Sequence, residues 1–167
     1  MASAAHRVRL VALTAASLVG AIRAGAQQPS SWLAGLQREV RADLLVRDVP
    51  ASDLGGGLVA TAGDYGRLAF IVGAGAEWRG QRAAGTAHVD VVSRWLLDPF
   101  GQLRWGLYGG AGATVRWTAD ARARPWLLLV AGAEGPEHGG WRPAIEFGLG
   151  GGARLGVVLR RERTGAR

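Results

Sequence analysis

The 167-residue chain contains neither cysteine nor lysine. Without cysteine there is no disulfide, no thiolate metal site, no thiol nucleophile and no acceptor for a lipid anchor after an export signal. Without lysine, all 20 basic residues are arginine, so the formal charge of +7 rests on groups that do not deprotonate and that pair well with carboxylates in confined space. Charged residues are also scarce, at 20% against 49% hydrophobic, and this balance argues against disorder. Beyond the first 26 residues no run approaches 18 consecutive apolar residues, so the chain can enter a membrane only as strands. What it has in abundance is glycine, 27 residues. Each would cost about 1 kcal/mol inside a helix, which excludes a coiled coil or helical bundle.

The length suits one domain preceded by an export segment. Residues 1–26 read as a secretory signal: His6, Arg7 and Arg9 form a basic start, Leu10 to Ile22 an apolar stretch, and Ala24-Gly25-Ala26 a small-residue cleavage site. The apolar stretch falls short of the roughly 20 residues of a spanning helix. The mature domain is then 27–167. Removing Arg7, Arg9 and Arg23 leaves 17 arginines against 13 acids, too mild an excess to propose nucleic acid as a partner.

Along this domain apolar and polar residues alternate with period two. From Arg67 to Arg79, Leu68, Phe70, Val72, Ala74, Ala76 and Trp78 oppose Arg67, Gly73, Gly75, Glu77 and Arg79. From Gly85 to Leu97, Ala87, Val89, Val91, Trp95 and Leu97 oppose Thr86, His88, Asp90 and Arg94. From Leu103 to Trp117, Trp105, Leu107, Ala111, Ala113, Val115 and Trp117 oppose Arg104, Tyr108, Gly110, Gly112, Thr114 and Arg116. From Trp141 to Leu159, Ile145, Phe147, Leu149, Leu155, Val157 and Leu159 oppose Arg142, Glu146, Gly150, Arg154 and the following Arg160. Every Arg, Asp and Glu of these segments lies opposite the apolar face. A weaker strand runs from Leu36 to Val46, Leu54 to Ala62 is Gly-rich, and Trp126 to Ala133 is so continuously apolar that its faces cannot be assigned.

Gly63-Asp64-Tyr65-Gly66 and Asp98-Pro99-Phe100-Gly101 suit tight hairpins at one end. Gly80 to Ala84 and Thr118 to Arg124 are more polar and loop-like, and would emerge at the other. This makes seven segments, whereas a single-chain bacterial outer-membrane barrel normally has an even number. Two readings of the last segment stay open. Either Gly150-Gly151-Gly152 is a loop between strands Trp141 to Leu149 and Ala153 to Glu162, giving eight, or one long strand has a Gly-rich middle.

The alternation also allows two settings: apolar faces turned to lipid, or turned inward as in a secreted lipocalin-like barrel around an apolar ligand. Three features favour lipid. Glycine crowds the charged face, as a narrow interior requires; a signal peptide exports the chain; and Trp78, Trp95, Trp105, Trp117 and Trp141 lie on the apolar parity near segment ends, as an aromatic girdle would. Trp105 and Trp117 are twelve residues apart, about 40 Å along a strand and roughly 30 Å along the normal at a tilt of about 40°.

With its Ala24-Gly25-Ala26-Gln27 junction and strands such as Phe70-Ile71-Val72-Gly73-Ala74-Gly75-Ala76 and Leu107-Tyr108-Gly109-Gly110-Ala111-Gly112-Ala113, the chain resembles small bacterial outer-membrane β-barrel proteins. The resemblance implies an antiparallel up-and-down transmembrane β-barrel of eight strands in the outer membrane, with the lipid bilayer and the barrel-insertion machinery as partners. Such proteins commonly end in an aromatic residue, whereas this sequence ends Arg163-Thr164-Gly165-Ala166-Arg167.

Catalytic readings are weak beside this. His88 and Asp90 share a face and could join Glu77 or Glu146 in a hydrolytic or metal site, yet no HExxH, GxSxG or Gly-Lys-Ser/Thr signature is present, and Ser93 has no base beside it. Glu137 and His138 belong to a Gly-rich turn. The expectation is a non-enzymatic barrel without cofactor. Its lumen would hold a paired charge network of Arg67, Glu77, Arg79, Asp90, Arg94, Arg104, Arg116, Arg142, Glu146 and Arg154, with Glu39 and Asp43 added from the weaker strand.

Overall fold

The computed structural model describes residues 36–62, 64–97, 104–119 and 121–161. The period-two alternation becomes eight antiparallel strands: β1 (Gln37–Val46), β2 (Ala51–Ala62), β3 (Gly66–Arg79), β4 (Arg82–Leu96), β5 (Gly106–Thr118), β6 (Ala121–Glu134), β7 (Trp141–Leu149) and β8 (Ala153–Arg161). Each pairs with the next in sequence, and β1 pairs with β8 from Arg38↔Arg161 to Val46↔Ala153, so the sheet closes on itself as a barrel. Of the two readings of the last segment, the loop holds. Gly151 and Gly152 take positive φ of 72° and 152° between β7 and β8, a conformation that suits glycine and ends the strand.

Connections at the end away from the chain termini are short: residues 47–50, 80–81, 119–120 and 150–152. This corrects two expectations. Gly80 to Ala84 and Thr118 to Arg124 are not polar loops, because Gly80, at φ 61°, supplies the positive angle that a two-residue hairpin needs, and β4 and β6 begin immediately after their turns. Conversely, the link expected to turn tightly at Asp98 to Gly101 joins β4 to β5 over residues 97–105, and β5 starts at Gly106 rather than Leu103. Gly63, residues 98–103 and the export segment 1–26 lie outside the described residues.

The apolar parity faces outward. Val40, Leu44, Leu54, Leu68, Val72, Val91, Leu107, Leu129, Ile145, Phe147, Leu155 and Val157 are all exposed. This arrangement excludes the reading in which those faces line a ligand cavity. The run Trp126 to Ala133 now has faces: Leu128 and Val130 point inward and are buried, while Leu127 and Leu129 point out. With Val59, Ala69, Ile71 and Val92 they form an apolar cluster inside the barrel. A second interior cluster joins Tyr108, Ala144 and Val158, with Leu96 against it.

Glycine on the inward face makes room for large side chains. A Cβ at Gly73 would fall inside the imidazole of His88, whereas one at Gly85 would meet nothing within 4 Å. Gly73→Ala is therefore expected to lower stability by about 1–3 kcal/mol and Gly85→Ala to change it by less than about 0.5 kcal/mol, as measured by urea unfolding in detergent. Equal effects would mean that the interior is loosely filled.

Candidate functional site

Closure carries every second side chain into a space only wide enough for side chains, and most charged residues of the strands point there. At the end bearing the termini, Glu39 of β1 accepts from Arg94 of β4 at 2.7 Å and Arg160 of β8 at 2.9 Å, and pairs with Arg41 at 3.3 Å. Arg41 also donates to Asp43 at 2.6 Å and to Glu146 of β7 at 2.8 Å. Arg94 completes the circuit with Glu146 at 2.8 Å. Glu134 of β6 collects Arg67 at 2.6 Å, Arg160 at 2.8 Å and Arg142 at 3.3 Å. Within this cluster the Tyr108 hydroxyl donates to Glu146 at 3.1 Å and accepts from Arg160 at 3.0 Å, with the Arg160 guanidinium 4.9 Å above the Tyr108 ring.

A second cluster stands nearer the hairpin end. Arg116 and Thr86 donate to Asp53 at 2.6 and 2.7 Å, and Arg154 donates to Asp90 at 2.8 Å. His88 lies between the two carboxylates at 3.7 Å from Asp53 and 3.8 Å from Asp90, too far for hydrogen bonds. Arg154 also approaches Asp43 at 3.8 Å, which links the two clusters. At the mouth, Glu77 is held by Arg79 at 2.8 Å and by Arg47.

Of the residues expected in the network, Arg67, Arg94, Glu146, Arg116, Asp90 and Arg154 are buried in these clusters. Arg79 and Arg142 sit at opposite mouths with side chains 52% and 32% exposed. Arg104 does not join: it stands exposed in the bend before β5, because that strand starts three residues later than the alternation suggested. The hydrolytic grouping does not assemble either. His88 stands beside Asp53, which Arg116 already holds, and Asp90, which Arg154 holds, while Glu77 and Glu146 belong to other arginines. Glu137 reaches only Arg142, at 3.7 Å, and no group of three or more potential metal ligands occurs among the described residues.

Two carboxylates escaped sequence reasoning. Asp53 precedes a Gly-rich stretch and shares its parity with Gly55 and Gly57; Glu134 shares its parity with Leu128 and Val130, whose apolar run concealed the alternation. The tryptophans form two sets. Trp78 and Trp117 lie at the hairpin end, and Trp95, Trp105 and Trp141 at the terminal end. Trp126, on the inward parity, covers Gly151 of the β7–β8 turn.

A closed eight-stranded barrel with an apolar outside and charges within is a known architecture. Its fold is that of small transmembrane barrels. Neisserial surface protein A is similar over 77% of this chain and 96% of its own, with a TM-score of 0.58 and 9% identity. The N-terminal β-barrel domain of Pseudomonas aeruginosa OprF is similar over 75% and 96%, with 0.56 and 14%. A de novo designed transmembrane β-barrel covers 82% of this chain and 98% of its own, with 0.53 and 15%. No family model matches the sequence. No curated protein matches it either.

Glu39 neutralises parts of three buried guanidiniums, so Glu39→Gln is expected to cost about 3–5 kcal/mol, the range for leaving buried charge uncompensated. Glu137→Gln, at a 42% exposed side chain, should cost less than about 1 kcal/mol. Unfolding midpoints of the two variants in the same detergent compare them directly.

Proposed function

We propose that this chain is a non-enzymatic outer-membrane β-barrel, structural or interaction-mediating in role, whose interior is closed by paired side chains. The observation that carries the reading is the opposite character of the two parities. Outside, wherever side chains are described, the strand wall is apolar or small except at Arg38 and Arg161 at the terminal end. Inside, six buried arginines meet seven buried carboxylates. Such an outer face suits hydrocarbon, in which a closed barrel is the one β-structure that satisfies its own backbone. The tryptophans near both ends suit the two interfaces. The export segment and the insertion machinery belong to the same reading, since a barrel of this kind must be delivered to its membrane.

Near balance of charge inside argues against an anion-selective pore, and the apolar cluster around Ile71 and Leu128 fills further interior space. Recognition by long loops at the end away from the termini is also disfavoured, because the four connections there span at most four residues. The remaining surfaces for contact are the wall and the two rims.

Two measurements test the proposal. Val91 is outward in the middle of β4, so Val91→Arg should lower folding stability in lipid vesicles by roughly 2–4 kcal/mol, while Val91→Leu should be close to neutral. Planar-bilayer recording of the purified monomer should give silence or rare small openings. Equal folding of wild type and Val91→Arg would remove the lipid-facing assignment, and large steady conductance would remove the closed interior.

A further inference from the structure

Within the strands, wherever side chains are described, the outward parity carries only two charged residues, Arg38 and Arg161. They are direct register partners across the β1–β8 seam, at the end bearing the termini. Like charges directly opposed on one face repel. Among the described residues neither has a carboxylate partner, whereas the inward Arg160 beside them has three. On the other side of Arg161, in the same row, its register partner is Trp141 of β7, and the Arg161 guanidinium stands 5.4 Å from the centroid of that indole. The row therefore reads indole, guanidinium, guanidinium across three adjacent strands.

We propose that this row is a binding site for the phosphodiester of an anionic glycerophospholipid in the leaflet at the terminal end. The proposal rests on the membrane reading above and adds to it a ligand and a place. One phosphate between the two guanidiniums removes their repulsion and offers each a bidentate, charge-assisted pair. Trp141 marks the depth, since indole settles at the headgroup level. Directly toward the membrane centre the outward residues of the same strands are Val40, Leu159 and Val157, all exposed and apolar, so the lipid's acyl chains have a smooth wall to lie against. A headgroup with net negative charge fits better than a zwitterionic one, because two cations face one phosphate and nothing acidic in the described row would meet an ammonium.

Native mass spectrometry of the full chain, released from detergent containing equal amounts of phosphatidylglycerol and phosphatidylcholine with the same acyl chains, tests the site. Wild type should retain phosphatidylglycerol on the order of tenfold more than phosphatidylcholine. The double variant Arg38→Gln, Arg161→Gln should lose the preference, while Arg82→Gln, at the opposite rim, should keep it. Equal retention of the two lipids by wild type would overturn the proposal even if the double variant fails to fold, and so would an undiminished preference in a folded double variant. Displacement of the lipid by inorganic phosphate at comparable concentration would overturn a lipid occupant in favour of a free anion. Failure of the membrane reading is seen separately, as wild type that stays monodisperse in plain buffer and does not insert into vesicles of either lipid.

Discussion

Closing an eight-stranded sheet on itself removes every strand edge, and in the same act it shuts half of the side chains away from bulk water in a space that side chains alone can fill. The rest of the structure follows from that enclosure. Arg41, Arg94 and Arg160 are among the largest fully buried side chains, and a guanidinium so placed is tolerable only where carboxylates meet it. Glu39, Glu134 and Glu146 each serve more than one arginine, so the interior behaves as a shared network rather than a set of independent pairs. Glycine is the spatial counterpart of the same constraint. Where Arg41 and Asp43 lie across β8, residue 156 has no side chain, and a Cβ there would collide with the Asp43 carboxylate.

Much of this was legible because enclosure sorts residues by parity and parity is written in the sequence with period two. The outward faces of β3, β4, β5, β7 and β8 could be read residue by residue, since each alternates apolar against charged or small. Where both faces of a strand are apolar the signal vanishes. In β6 Leu127 and Leu129 face out while Leu128 and Val130 face in, so neither the faces nor the role of Glu134 could be read. Turns were harder for a different reason. Polar composition marks a connection but not its length, and Gly80 needed its backbone angle to reveal a two-residue turn in what looked like a loop. Arg104 was misplaced by the same limit, because alternation continues for a few residues past the point where pairing stops.

The apolar part of the interior is distributed unevenly. Val59, Ala69, Ile71, Val92, Leu128 and Val130 come from β2, β3, β4 and β6, while β1 contributes Glu39, Arg41 and Asp43 and β8 contributes Arg154 and Arg160. Buried ion pairs seldom stabilise a fold more than apolar packing of equal volume would. Their effect is on which arrangement is allowed. Shifting β1 by one residue against its neighbours would turn Glu39, Arg41 and Asp43 outward and bring Val40, Ala42 and Leu44 in, exchanging three satisfied charges for three exposed on the apolar wall.

That consideration explains why the charges gather where they do. Seven of the eight seams join strands that follow one another in sequence, so their register is constrained by a connection of limited length. The β1–β8 seam has no such connection. Its partners come from opposite ends of the barrel's sequence, and only side chains can define how they align. Arg160 of β8 reaches Glu39 of β1, Arg154 of β8 approaches Asp43 of β1, and Arg41 of β1 extends past β8 to Glu146 of β7. Each link spans the seam or the strand beside it, at different heights. A slip of β8 along β1 would break all three together, so the network supplies the closing seam with the register that a hairpin supplies elsewhere.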